Sequence, residues 1–488
     1  MVTRPLIATL AAALLAACAV GPDHVRPTMA VPETFGVQAP VTDTAAAAPV
    51  AAPADGAFWQ AFGDPQLTAL VDDALTANHD LRIALARFDR ANALLRNARF
   101  DQWPTIDASG RATSSRASAD QAPGVPRAAR DSDAFEAGIG ASWELDLFGR
   151  VRRGVEAGRA EAAASADDLR ALQVAIVGEV ATAYLDLRGL QERLRVATEN
   201  AGNQQHTLAL VEARRNAGQD SDFDSARASA QAASTASRIP ALEAEIAVAI
   251  HRIAVLTGRT PDALRDALSA ARDLPAVPRA IDPGTPADVL RLRPDVSAAE
   301  HRLHAATARV GVATADLFPR LTLGGLIGSQ AGEVDALFKR DSETRLVALG
   351  IDWSFLDIGR VRARIAAADA DAELELARYQ QTVLRALEDT GNALARFDRA
   401  HDEDVELERA ARDSARAARL ARMRFEAGAT GLLDVLDAER TQLQAEDAFA
   451  AGRTRTATGA VALYRALAGG WPQSLPQRES LDTQVSQR

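Results

Sequence analysis

The sequence predicts a mainly α fold with a small membrane β-sheet, written as two internal repeats, each with a long helix, two shorter coaxial helices and two strands. Three observations carry that prediction. First, the chain aligns with itself. At an offset of 215, Asp80 falls on Asp295, Arg87 on Arg302, Pro104 on Pro319 and Gly110 on Gly325. At an offset of 210, Trp143 falls on Trp353, Gly149-Arg150-Val151-Arg152 on Gly359-Arg360-Val361-Arg362, Ala217-Gly218 on Ala427-Gly428, and Asp224 on Asp434. Second, Leu169, Leu172, Ile176, Val180, Tyr184, Leu187, Leu190 and Leu194 step by three or four, a helical apolar stripe in a chain that is about a fifth alanine. Third, Phe135 to Leu147 alternates with period two. Phe135, Ala137, Ile139, Ala141, Trp143, Leu145 and Leu147 share one face, and Glu136, Gly138, Gly140, Ser142, Glu144 and Asp146 the other.

Taken in chain order, Arg4 precedes an apolar stretch from Leu6 to Ala17 that is too short to span a bilayer, so residues 1–17 read as a secretory signal. Leu15-Ala16-Ala17-Cys18 resembles a bacterial lipobox, with Cys18, the only cysteine, as the lipidated residue. Residues 18–63 follow as a lipidated, extended N-terminal segment. Repeat 1 occupies 64–272. It has a helix over 64–100 opened by Asp64-Pro65, strands over 104–116 and 134–147, a long helix over 149–215, and a return helix over 222–257 that Pro240 should kink. Residues 273–284 form a linker. Repeat 2 occupies 285–470, with a helix over 285–316 opened by Thr285-Pro286, strands over 319–329 and 345–355, a long helix over 359–426 and a return helix over 432–467. Residues 471–488 are a C-terminal tail.

Each long helix reaches roughly 100 Å at a 1.5 Å rise, and each opening helix plus its return helix sums to about the same length. Laying the two shorter helices end to end beside the long one predicts a rod. The strands say what the rod is attached to. In the second repeat Val347, Leu349, Ile351, Trp353 and Phe355 share a face, with Ala348, Gly350, Asp352 and Ser354 opposite. Strands of about 10 residues with one apolar face suit a membrane barrel, and Trp143 and Trp353 suit its interfacial girdle. Four strands cannot close, so sister subunits must complete the sheet. Two chains would supply 8 strands and three would supply 12; small inward residues at Gly138, Gly140 and Gly350 favour the wider, open barrel of three.

Composition excludes several functions. The net charge of −11 argues against nucleic acid as a partner. Lys339 is the single lysine and has no glycine-rich loop before it, so a phosphate-binding loop is excluded. No G-x-S-x-G, H-E-x-x-H or G-x-G-x-x-G appears, and we expect no catalytic residue, no cofactor and no enzyme activity. His301 and His304 follow Glu300 without a third ligand and read as solvated helix surface rather than a metal site. With only Met29 and Met423 after the signal peptide, a methionine relay for Cu(I) is disfavoured.

Trp59-Gln60-Ala61-Phe62-Gly63-Asp64-Pro65, the segment from Pro286 to Gly328, and the paired turns Leu147-Phe148-Gly149-Arg150-Val151-Arg152 and Leu356-Asp357-Ile358-Gly359-Arg360-Val361-Arg362 resemble the TolC-type outer-membrane factor family, in its lipidated NodT/OprM-like branch. The resemblance covers almost the whole mature chain. It implies a homotrimer in which a 12-stranded β-barrel in outer-membrane lipid continues into a 12-helix periplasmic α-barrel. It also implies docking to a periplasmic adaptor and an inner-membrane pump of the resistance-nodulation-division type, in a tripartite efflux system.

By the same resemblance, Arg424 to Gly428 and Leu432 to Ala438 match the periplasmic tip, where Leu433, Asp434 and Asp437 are the gate and lining candidates. Asp434 and Asp437 are three apart and stack on one helix face. Asp434 reads equally as a first-turn acid that favours the helix dipole; Asp437, beyond the first turn, favours the lining role. Thr430 stands where some relatives carry a latching arginine, so no such latch is expected. Asp220, Asp222 and Asp224 serve either as caps or as lining. Gly218 and Gly428 are the expected left-handed turn residues of adaptor-facing tip loops. Two other readings stay open: a duct for type I protein secretion, and a lipid-anchored coiled-coil spacer without a pore.

Overall fold

The computed structural model describes residues 19–35, 50–51, 57–277, 281–282 and 284–467. Cys18, the signal peptide and the tail from 471 lie outside the described residues. The chain divides into two compact units: Met1–Thr28 with Arg87–Ser165 and Ala298–Gln380, and Met29–Ala86 with Ala166–Ser297 and Gln381–Arg488.

The first unit holds the sheet. β1 (Thr105–Arg116), β2 (Asp131–Leu145), β3 (Arg320–Ala331) and β4 (Glu343–Asp352) pair antiparallel in that order, which leaves β1 and β4 as open edges. Register makes the alternation continuous across strands. Ala108 faces Ile139, Ile139 faces Ile327, Trp143 faces Leu323, and Leu323 faces Leu349. One face is therefore a broad, mainly apolar surface, with Ile106, Ile139, Ile327, Val347, Leu349 and Ile351 all exposed, and Arg345 stands on it opposite Ile327. The opposite face carries Asp107, Ser109, Arg111, Glu136, Gln330 and several glycines, with Leu326 and Leu346 paired among them.

The strand limits differ from those expected in three of the four strands by two or more residues. β2 starts at Asp131 rather than 134 because Asp131 pairs with Arg116 across the hairpin, and it ends at Leu145 rather than 147. The carboxylate of Asp146 must leave the strand to accept the amides of Val151 and Arg152, at 3.2 and 2.9 Å, capping the next helix. β3 runs to Ala331, two residues beyond the expected end. β4 covers Glu343–Asp352 rather than 345–355, so Trp353 and Phe355 are not strand residues. The Trp353 indole instead donates to the Leu317 carbonyl at 3.0 Å, as Trp143 does to the Gln102 carbonyl at 3.0 Å. These are the same positions in the two repeats.

The residues just after Cys18 are held against this unit. Val20 donates to the Phe148 carbonyl at 3.1 Å, Arg153 reaches Asp23 at 2.6 Å, and Arg26 pairs with Glu300 at 3.0 Å. His304 is half-buried, stacked on His24 with ring centroids 4.5 Å apart and bonded to Glu156 at 2.9 Å. That corrects the reading of His304 as solvated surface: the N-terminal segment covers it. Among the described residues no cluster has the makings of a metal site, and no helix is long and apolar enough to cross a membrane.

The helices of seven or more residues are α1 (Pro65–Ala77), α2 (His79–Phe100), α3 (Arg150–Asn216), α4 (Asp222–Ala236), α5 (Arg238–Leu256), α6 (Pro286–Leu292), α7 (Pro294–Ala315), α8 (Ile358–Glu426) and α9 (Leu432–Leu467). Both opening helices are broken, against the expectation of single helices over 64–100 and 285–316. Asn78 interrupts the first in an extended conformation: its side-chain oxygen caps Asp80 and Leu81 at 2.9 and 3.1 Å, while its amide donates to the Leu256 carbonyl at 2.8 Å. A short polar side chain has outbid the helix for its own backbone. Arg293 interrupts the second because Pro294 excludes the helical conformation from the residue before it. The first return helix is likewise two pieces. The break lies at Ser237, which lets Pro240 sit in the first turn of α5, where no intrahelical amide is needed. α9, without proline, runs unbroken for 36 residues.

The main core belongs to the second unit. Phe58 to Phe62 form a short 3-10 turn rather than extended chain, and Phe58, Trp59 and Phe62 pack with Leu67, Val71, Val180, Ile253 and Tyr464. Beneath α1 lies a buried polar cluster. Asp64 caps α1 and accepts the Tyr184 hydroxyl at 2.5 Å. Arg188, fully buried, donates to Gln66 and Gln191 at 2.5 Å each and to the Ala270 carbonyl at 3.0 Å. Its guanidinium stands 4.8 Å over the Tyr184 ring.

Candidate functional site

Two features can carry a transport function: the open sheet, and the tip where both helical hairpins turn. The tip turns are built alike. Gly218 has φ +74° and Gly428 φ +70°. Gly218 donates to the Arg215 carbonyl and Gln219 to Arg214, both at 2.9 Å; Gly428 donates to Phe425 at 2.9 Å and Ala429 to Arg424 at 2.7 Å. The bond from the residue after the glycine back over five positions closes the helix end, and it requires the left-handed conformation. A Cβ at either glycine would meet nothing within 4 Å, so the penalty for a side chain is purely conformational. Gly428→Ala is therefore expected to cost about 1 kcal/mol, read as faster proteolysis at the tip with the rest of the chain unaffected.

An apolar cluster seals the tip from inside: Leu208 and Val211 of α3, Ala228 and Ala232 of α4, Phe425 of α8, and Leu432, Val435 and Leu436 of α9. Burying Leu432, Val435 and Leu436 turns Leu433, Asp434 and Asp437 outward, and all three are exposed. The structure thus brings the three expected gate residues onto one outer face of α9. Asp434 accepts the Thr430 hydroxyl and Asp437 pairs with Arg440. Neither partner was legible as such in the sequence.

The acids of the first hairpin behave differently. Asp224 completes a capping box with Ser221, accepting its amide at 3.2 Å and its hydroxyl at 2.6 Å, and these bonds hold its carboxyl below the usual range. Asp220 pairs with Arg214 at 3.0 Å and Asp222 with Arg215 at 3.7 Å. Of the two open readings for these residues, the geometry supports caps and turn ties. Arg214 also lies 4.8 Å over the Phe425 ring, which links the two hairpins.

Sequence reasoning missed the buried side of α9. Glu439 is 1% exposed, accepts the Thr207 hydroxyl at 2.8 Å and lies 3.7 Å from Arg422. A glutamate two residues after an aspartate on a charged helix carries no sequence signal of burial; only the packing against α3 sets it apart.

An apolar-faced, open-edged four-stranded sheet in a chain otherwise made of long helices defines a membrane-channel subunit whose barrel is shared between chains. The comparisons agree. Residues 70–259 and 285–469 match the family model described as outer membrane efflux protein. The chain is 33% identical over 479 residues to the outer membrane protein OprJ of Pseudomonas aeruginosa, covering 96% of each. It is 34% identical to the pyoverdine export outer membrane protein OpmQ of Pseudomonas putida, covering 93% of this chain and 95% of that one. Among solved structures, the outer-membrane channel OprN superimposes with a TM-score of 0.85 at 41% identity, over 93% of this chain and all of that one. The open-state MtrE outer-membrane channel of Neisseria gonorrhoeae does so with a TM-score of 0.79 at 29% identity, over 94% and all of each chain respectively. The chain belongs to the outer membrane efflux protein family, and its place is the outer membrane.

Proposed function

We propose that three copies of this chain, each lipidated at Cys18, form a passive duct that conducts small molecules from a periplasmic adaptor and an inner-membrane pump to the exterior. The observation that carries this reading is the sheet, which has one mainly apolar face for lipid and two unpaired edges, β1 and β4, for sister strands. An unpaired edge in lipid costs several kcal/mol for each unsatisfied amide or carbonyl, so the barrel requires partners. The polar and glycine-rich opposite face suits a water-filled interior. The match to the outer membrane efflux protein model and the similarity to a pyoverdine export protein favour efflux over protein secretion. In this reading Gly218 and Gly428 shape the loops that meet the adaptor. Leu433, Asp434 and Asp437 line the periplasmic constriction, three carboxylates at each acidic level. No residue of the duct does covalent chemistry; the energy comes from the pump.

Planar-bilayer recording of the purified, lipid-reconstituted protein tests it. The wild type should conduct and prefer cations. Asp437→Ala removes a carboxylate ring and leaves Arg440 unpaired, so conductance should rise and cation preference fall. A trimer that stays inert even with Asp434 and Asp437 both neutralised would instead support a spacer without a pore.

A further inference from the structure

Above the tip, α3 and α9 meet through a polar seam buried within apolar packing. Asn200 donates to Glu446 at 2.7 Å and Thr207 donates to Glu439 at 2.8 Å. The two donors are seven residues apart on α3 and the two acceptors seven apart on α9, so the helices run antiparallel in register over two turns. Gln204 then falls opposite Gln442, and this middle rung is unmade. Both amide atoms of Gln204, Oε1 of Gln442 and Oε2 of Glu439 are buried without a hydrogen-bond partner. The Gln442 amide nitrogen is already committed to Glu446 at 2.8 Å.

The mismatch has a definite chemistry. With Glu439 ionised, its Oε2 is a buried charged acceptor beside two more unmatched acceptors, the amide oxygens of Gln204 and Gln442, against the two N–H groups of the Gln204 amide, and each unmatched group costs about 1–3 kcal/mol. One proton on Glu439 Oε2 removes the unpaired buried charge and turns that acceptor into a donor, so that three donor hydrogens are available to the two amide oxygens. The groups that face it are few. Arg422 of α8 lies 3.7 Å from Oε1, His206 of α3 is exposed nearby, and the buried residues of α4, Ser225, Ala228, Ala232 and Thr235, are uncharged. On α9 itself Glu446 is bonded to Asn200 and Gln442, while Asp437 and Arg440 are paired at the surface.

We propose that Glu439 is a proton-taking latch between α3 and α9: protonated, it completes the seam and holds the tip packed; ionised, it favours separation of the two helices beside Leu433, Asp434 and Asp437. This rests on the gate reading of those three residues. Burial, which outweighs the Thr207 bond and the Arg422 charge, lifts the Glu439 carboxyl above the usual range. A carboxyl raised on packing makes the packed state bind more protons, so its stability is full in acid and is lost as pH rises through the raised value. Alkalinisation should therefore loosen the seam and acid should tighten it.

The test is spin-label distance between Gln205 and Gln444, both exposed, on the assembled full chain from about pH 5 to 8, with conductance recorded in parallel. The wild-type distance should lengthen and broaden as pH rises, with conductance increasing about twofold or more. Glu439→Gln keeps the shape and supplies a permanent donor, so it should hold the acid-state distance and the lower conductance at every pH. Asp437→Ala should retain the pH response. A wild-type distance indifferent to pH, or a Glu439→Gln distance that follows the wild type, would overturn the latch whether or not the channel conducts. Lack of any wild-type conductance, with the label response intact, would count against the duct and not against the latch.

Discussion

Ile139→Arg should abolish assembly in the outer membrane. Ile139 lies in β2, an inner strand, opposite Ala108 on one side and Ile327 on the other, and is 60% exposed in the single chain. If that face meets lipid, an arginine there costs up to about 2–4 kcal/mol in each of the subunits that must insert together, and it adds a second cation to the row that already holds Arg345 opposite Ile327. Ser109→Arg adds the same charge to the opposite, polar face of β1 and should assemble normally. Native electrophoresis of outer-membrane extracts reads both. Trimer lost only in Ile139→Arg assigns the apolar face to lipid; equal yields from the two variants would remove the basis for the barrel.

Arg188→Ala should produce the largest loss of stability in the second unit. Truncation empties the space of a fully buried side chain and strands the oxygens of Gln66, Gln191 and Ala270 that its guanidinium satisfies. A cavity and several unpaired buried acceptors together are expected to cost about 3–5 kcal/mol. Arg193→Ala is the control. Arg193 pairs with Asp447 at 2.7 Å but is about a third exposed, and loss of such a pair should cost under about 1 kcal/mol. Thermal unfolding followed by circular dichroism should show a large drop in midpoint for the first and little for the second. Equal midpoints would mean that the cluster under α1 is not what fastens that helix. Its pH range is set by Tyr184, whose hydroxyl is pushed up to about 12 by burial and by Asp64. A raised phenol contributes stability that is whole at neutral pH and is lost only as pH climbs from about 10 toward 12.

The duplication, the long helices and the alternating strands were legible because each is a periodic or local signal. An apolar stripe over Leu169 to Leu194 or an alternation over Phe135 to Leu147 needs no partner to be recognised. Left-handed turns at Gly218 and Gly428 were legible for the same reason: a helix end needs a residue free to adopt positive φ, and glycine is that residue. The break at Asn78 was not, whereas the break at Arg293 follows from Pro294, a local signal that the expectation of a single helix over 285–316 passed over. An asparagine inside an apolar-periodic stretch commits to a cap only when a carbonyl such as that of Leu256 waits for its amide.

By itself, then, the order of residues determined two helical hairpins per chain, their turns and a sheet with one oily face, since backbone preference and hydrophobic period act within reach of a few residues. Tertiary structure alone decided which charges are spent. Asp224 goes to a capping box, Asp434 and Asp437 face outward, and Glu439, on the same helix as the latter pair, is folded inward against Thr207. The physical reason is that a carboxylate's role depends on what surrounds it, and those surroundings come from residues more than two hundred positions away in the chain.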